Sequence, residues 1–331
     1  MKAFAITKYG DPLRPVDVPE PVVGARDVLV RVDATAVNSL DEKIRTGSFR
    51  QVLPYDLPLV LGHDVAGTVL AVGPQVQRFA VGDEVFGRPR TERIGTFVER
   101  IAVHEDDLAL KPTSISLPEA ASLPLVALTA WQALVERGGV GAGQKVLVHS
   151  GAGGVGSIAI QLAKHLGATV ATTAGGSNAD FVRDLGADVV VDHRTEDFGE
   201  LLSGYDLVLD GVGGKNVETS LRVLRRGGRV IGIAGPPDPA FARATGANPL
   251  LRLAVTALSA GVRRRARALG VGYEFLFMRA SGDQLREIAR LVDEGAVRPV
   301  VGRVVPFAEI PQALAALGRG GLRGKVVATG A

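Results

Sequence analysis

Three glycines, at positions 151, 153 and 156, follow directly on the apolar run Val146, Leu147 and Val148 in the spacing Gly-x-Gly-x-x-Gly. That spacing meets a specific physical need. Gly151 permits a sharp turn, Gly153 lets backbone approach a pyrophosphate, and Gly156 lets the following helix pack close on the strand with phosphate at its N-terminus. The spacing alone is weak, because glycines that serve only helix packing produce it too. Its surroundings strengthen it: apolar residues at 158, 160, 162, 163 and 166 continue as a helix that Gly167 ends, and a strand at 169–173, a helix at 178–185 and a strand at 189–191 follow. This is the βαβαβ run of a dinucleotide-binding unit.

The end of the second strand speaks to the cofactor. An NAD site places Asp or Glu there to bond the ribose 2′-hydroxyl. Here the chain reads Thr173-Ala-Gly-Gly-Ser-Asn, and the first acid, Asp180, lies inside the next helix. Ser177 and Asn178 suit an N-cap, and a capped helix start also suits an anion. His193 and Arg194 follow the third strand and could flank the same phosphate. The pattern favours NADP(H).

The whole chain sets the frame for that unit. Its 331 residues, 46% hydrophobic and 22% charged, suit two folded domains. A net charge of +3 spread along the chain gives no footprint for nucleic acid. The arginines at 263, 264, 265 and 267 read as a solvated helix face. With no cysteine, disulfides, thiol catalysis and cysteine-ligated zinc are excluded. The first residues lack a signal-peptide pattern, and the apolar stretch 249–262 is too short to span a bilayer, which needs about 20 residues. A cytoplasmic protein without a membrane partner is expected.

Residues 1 to 110 read as β-rich, with short apolar segments at 28–32, 65–72, 83–86 and 96–103 between Gly, Pro and Asp turns, and a short helical insert at 41–46. An antiparallel barrel-like domain is the simplest reading. Helical patterns at 117–134 open the second domain. Further strands at 207–210 and 229–234, helices at 216–224 and across 238–270, a strand at 273–278 and a helix at 283–293 extend it. Short strands at 300–305 and 325–327, around a helix at 310–317, return the tail to the first domain.

Several stretches in order carry a resemblance along nearly the whole length: Ala36-Val-Asn-Ser-Leu-Asp-Glu-Lys-Ile-Arg-Thr-Gly, Leu61-Gly-His-Asp-Val-Ala-Gly-Thr-Val, Val81-Gly-Asp-Glu-Val-Phe-Gly, Leu123-Pro-Leu-Val-Ala-Leu-Thr-Ala-Trp-Gln-Ala-Leu, the glycine loop, and Arg323-Gly-Lys-Val-Val. The chain resembles the zinc-independent medium-chain dehydrogenase/reductases, in particular quinone oxidoreductases of the zeta-crystallin type and alkenal/enone reductases. The resemblance implies an α/β protein: a GroES-like β-barrel domain for substrate at 1–123 and 297–331, a Rossmann doubly wound parallel-sheet domain for NADP(H) at 124–296, and an active site in the cleft between them. It places Asn38 and Lys43 near nicotinamide and substrate, Thr129 at the nicotinamide ribose or carboxamide, and Gly153, Gly154 and Val155 on the pyrophosphate. Thr173, Ser177 and His193 fall around the 2′-phosphate, where relatives often carry Lys and Tyr at the last two. Val212, Ala234, Gly235, Phe275 and Phe277 match segments that wrap the nicotinamide half. His63, in Gly62-His63-Asp64, is what is left of a zinc ligand motif and reads as a packed residue; no metal is expected.

Without a metal, the cofactor carries hydride and the protein orients it. Delivery to a quinone or to the β-carbon of an α,β-unsaturated carbonyl spreads negative charge onto an oxygen, which a donor such as Lys43 would stabilise. Lys43 reads equally as a surface lysine, Asn38 as a turn residue, and Asp41 as a structural carboxylate or a partner for Lys43. A catalytically silent NADP(H)-binding protein of structural or regulatory role is the alternative. The strand at 273–278, near the far edge of its sheet, suggests a homodimer, as is common among relatives.

Overall fold

The computed structural model describes residues 1–51, 53–317 and 321–331. In chain order its strands are β1 (Lys2–Ile6), β2 (Arg14–Asp17), β3 (Asp27–Val37), β4 (Leu59–Val60), β5 (Asp64–Val72), β6 (Glu84–Gly87), β7 (Arg100–His104), β8 (Leu108–Leu110), β9 (Lys145–Val148), β10 (Thr169–Ala174), β11 (Val189–Asp192), β12 (Tyr205–Asp210), β13 (Leu224–Gly232), β14 (Gly272–Phe275), β15 (Val301–Pro306) and β16 (Lys325–Thr329). Two compact units result, Met1–Leu128 with Arg279–Ala331, and Thr129–Met278.

The first unit is mainly antiparallel. Its larger sheet runs β15-β16-β3-β5-β6-β8, with β7 also on β3, and a smaller one runs β2-β1-β4. Alternation in β3 sends Val28, Val30 and Val32 inward beside Val65, Val69, Val85 and Leu108. Each fully buried side chain of this kind stabilises the fold by about 1.5–3 kcal/mol. Strands 3 and 5 come so close that a Cβ on Gly67 would lie 1.8 Å from the Arg31 carbonyl oxygen.

In the second unit six strands lie parallel in the order β11-β10-β9-β12-β13-β14. That is the doubly wound dinucleotide-binding order. Leu147, Ala171, Val208 and Val230 of its inner strands are buried in one core.

Two expectations are corrected. The helix expected at 283–293 is present as Gly282–Asp293, but it belongs to the first unit rather than to the dinucleotide unit. It packs on β8, where a Cβ on Gly282 would meet Leu108 O at 2.2 Å, and Asp293 accepts hydrogen bonds from Thr113 N and Ser114 N at 3.2 and 2.9 Å. Also, β14 stops at Phe275 instead of running to 278. Phe275 N donates to Asp238 Oδ2 at 3.1 Å, and Leu276 N still reaches β13, donating to Gly232 O at 2.9 Å at the end of that strand.

Candidate functional site

In the second unit, β9 leads through His149-Ser150-Gly151-Ala152-Gly153 into the helix Gly154–His165. The three glycines have different reasons. A Cβ on Gly151 would lie 2.1 Å from Thr172 Oγ1, and one on Gly156 would lie 2.2 Å from Ser150 O, so both are required by packing. One on Gly153 would find only Ser150 O, at 3.3 Å. The chain leaves the space beside Gly153 open, next to the first-turn amides of Gly154 and Val155, which have no intrahelical acceptor. The left-handed residue of the turn is Ser150, at φ 58°. A non-glycine residue held there is strained and needs support.

The support is a buried chain that sequence reasoning missed. Ser220 Oγ donates to Asn216 O at 2.7 Å and so accepts from His149 Nε2 at 3.0 Å. His149 Nδ1 then accepts from Thr173 Oγ1 at 3.0 Å, and that oxygen accepts from Ser150 N at 3.2 Å. Burial pushes the His149 imidazole down to about 4, only partly opposed by Asp210, so it is neutral near pH 7. The Thr173 hydroxyl is thus engaged beneath the glycine turn.

At the end of β10, Ser177 lies exposed in the turn Gly176–Asn178 and His193 and Arg194 are exposed just past β11. The Arg194 guanidinium comes within 3.4 Å of where a Gly175 Cβ would stand, and among the described residues it pairs with no carboxylate. The acid absent from β10 is present one strand over. Asp192, in register with Ala174, accepts from Arg194 N at 3.1 Å and borders Gly176.

Beyond β12, Val212 N and Gly213 N donate to Asp210 Oδ1 at 2.8 and 3.0 Å, while buried Asp210 Oδ2 has no partner among the described residues. This loop abuts the next, since a Cβ on Gly213 would sit 2.4 Å from Ala234 O. At Gly235 a Cβ would sit 2.4 Å from Tyr273 Oη, which donates to Pro236 O at 2.8 Å. Phe275 and Phe277 pack on Phe241 with ring centroids 5.2 and 5.5 Å apart. Thr129 is buried on the helix Pro124–Trp131.

The first unit holds a second polar constellation. Asn38 precedes the helix Ser39–Arg45, and Asp41 Oδ2 accepts from Asn38 N at 2.8 Å. The Asn38 carboxamide donates to Ala36 O at 3.2 Å and Asp64 Oδ2 at 2.9 Å, and its oxygen accepts from the Lys325 ammonium. Lys325 also donates to Val37 O at 3.0 Å and Asp64 Oδ2 at 3.2 Å, while Asp64 Oδ1 accepts from Leu125 N at 2.7 Å. Asp41 Oδ1 meets His63 Nδ1 at 2.6 Å, so Asp41 partners His63 and not Lys43. Lys43 lies half-buried on the same helix, and among the described residues its ammonium makes no hydrogen bond or ion pair. Lys325 and Asp64 were missed as a pair, although a lysine heading the apolar run Lys325-Val-Val was a signal. Arg88 was missed too. It is fully buried, burial lowers its pKa, and Nε and Nη2 lack partners among the described residues.

Two family models match, an alcohol dehydrogenase GroES-like domain at residues 24–113 and a zinc-binding dehydrogenase at 185–327. Zinc does not fit the residues present. The cation facing Asp64 is the Lys325 ammonium, His63 Nδ1 is held by Asp41, and among the described residues no group of three or more His, Asp or Glu is placed to hold a metal. The chain is 35% identical to a mouse protein, NAD(P)H oxidoreductase RTN4IP1, mitochondrial, over 99% of this chain and 88% of that one. It is likewise 35% identical to the Arabidopsis thaliana NADPH-dependent alkenal/one oxidoreductase, chloroplastic, over 99% and 79%. Among solved structures, the quinone oxidoreductase from Coxiella burnetii superposes with a TM-score of 0.87 at 31% identity, covering 100% of this chain and 99% of that one. These relatives carry mitochondrial and chloroplastic names, which overturns the cytoplasmic expectation; an address resides in a leader segment, and folded domains keep no record of it. The parallel sheet behind the glycine turn, the antiparallel barrel and this full-length similarity place the chain in the medium-chain dehydrogenase/reductase superfamily, in its zinc-independent quinone oxidoreductase and alkenal/enone reductase family.

Proposed function

We propose that the protein is an NADPH-dependent oxidoreductase acting on a quinone or an α,β-unsaturated carbonyl. The observation that carries this reading is the space left open at Gly153 beside free helix-start amides, between two glycines closed by packing. NADPH, when bound, supplies the hydride. The amides of Gly154 and Val155 would hold its pyrophosphate above Gly153, whose own N–H donates to Ser150 O at 2.9 Å, and Arg194 with Ser177 and His193 its 2′-phosphate, Arg194 offsetting Asp192. Thr173 holds the turn from beneath, through Ser150. Thr129, Val212, Ala234, Gly235, Phe275 and Phe277 would enclose the nicotinamide half.

Hydride addition at carbon leaves charge on the carbonyl oxygen, and a cation without another partner is suited to meet it. Lys43 is that cation, and a proton from solvent then completes the reduction, ending on the α-carbon of an enone or on the oxygen of a quinone. Asn38, with its carboxamide fully engaged, acts by fixing the start of the helix that carries Lys43. The test is NADPH oxidation with a panel of quinones and enones. Turnover supports the reading; tight NADPH binding with no turnover on any member supports the silent alternative instead. β14 is the edge strand of its sheet, which supports a homodimer paired along that edge. Light scattering that returns the 34.5 kDa monomer at micromolar concentration would refute it.

A further inference from the structure

We propose that the face formed by the helices Pro249–Leu258 and Ala260–Leu269 docks on an anionic phospholipid surface. Leu250, Leu253 and Leu258 are 81%, 68% and 64% exposed, and with exposed Ala254 and Ala257 they follow the spacing of one helix face. Leu251 and Val255 of the same helix already serve the fold, packed with Ala242 and Ala247. The outward leucines therefore have no partner within the core, and a contiguous exposed apolar face marks an interaction site.

Charge identifies the partner. Residues 239–270 hold arginines at 243, 252, 263, 264, 265 and 267 and not one Asp or Glu. Among the described residues only Arg265 pairs with a carboxylate, that of Glu218. Arg252 and Arg263 donate to the carbonyls of Ala247 and Thr256 at 2.6 and 3.0 Å, which leaves their charge uncompensated, and Arg243 and Arg264 make no side-chain contact of this kind. Leucines beside unneutralised arginines on short helices are the composition of an element that lies flat in a bilayer interface. A twofold pairing of this face with itself would set like charges against each other. The expectation of no membrane partner rested on segment length, which bears on crossing a bilayer and not on lying along one. Docking brings the protein to where apolar quinones partition; that consequence rests on the activity proposed above, whereas the docking does not.

Co-sedimentation with vesicles tests it. The protein should pellet with phosphatidylglycerol-containing vesicles, stay in solution with pure phosphatidylcholine, and be released by added salt. The pair Arg264→Glu with Arg267→Glu, and separately Leu250→Ser with Leu253→Ser, should each weaken binding about tenfold or more. Both pairs are exposed, so the thermal transition and the turnover of a water-soluble enone should not change. Absence of pelleting at low salt, or pelleting that neither pair affects, would overturn the proposal. So would a leucine pair that only converts a dimer to a monomer, which would assign the face to a second copy of the chain.

Discussion

Lys325 sets its ammonium 3.2 Å from Asp64 Oδ2, with 6% and 0% of the two side chains exposed, and Asn38 is held by both. Removing one member leaves the other charge buried without compensation. Lys325→Met or Asp64→Asn alone should therefore destabilise the protein by about 3–5 kcal/mol. The double variant Lys325→Met with Asp64→Asn should recover much of that loss. Urea unfolding with a double-mutant cycle reads both, and additive losses would remove the pairing argument.

Lys43→Ala should lower kcat and kcat/KM for enones by about 100-fold, less if the head is wet, with NADPH affinity almost unchanged. Quinones that accept electrons without a discrete enolate should suffer less. Full enone turnover in the variant, or equal losses in turnover and NADPH binding, would reassign Lys43 to structure or to the cofactor.

Arg194→Ala should weaken NADPH by roughly 10-fold or more, the worth of one charge-assisted contact, and leave NADH unchanged. Ser177→Asp should shift preference further toward NADH by repelling the 2′-phosphate. Fluorescence titration of both cofactors decides the matter, and wild-type protein preferring NADH would sink the assignment.

His149 is held at about 4, whereas an unfolded histidine titrates near 6.5. Between these values the unfolded chain binds the extra proton. This contribution to stability is therefore complete above pH ~6.5 and falls as pH drops toward ~4, by at most roughly 3–4 kcal/mol. His149→Gln should flatten that part of the stability profile, measured by denaturant unfolding across pH. An unchanged slope would show that other groups set it.

The glycine turn was legible in the sequence because only glycine tolerates the approaches at 151 and 156, and backbone demands of that kind are local. The period-2 and period-3.6 patterns likewise announced most strands and helices. What they could not announce was which sheet an amphipathic helix covers. Gly282–Asp293 shows a buried face whichever unit receives it, and only its packing on β8 decides. Lys325 was hidden by distance, because nothing near it in sequence resembles a partner. His149 was hidden for the opposite reason: it sits inside the glycine motif, where attention goes to the residues without side chains.

The separation of 261 positions between Asp64 and Lys325 bears on how the chain is made. Thr129–Met278 is continuous, so the second unit can close as soon as it leaves the ribosome. The first unit, begun earlier, waits for β15 and β16. At roughly 5–20 residues per second, Asp64 and Asn38 stand without their lysine for tens of seconds during synthesis. The half-built barrel, with β3 lacking its β16 neighbour, thus holds an unpaired strand edge open through that interval.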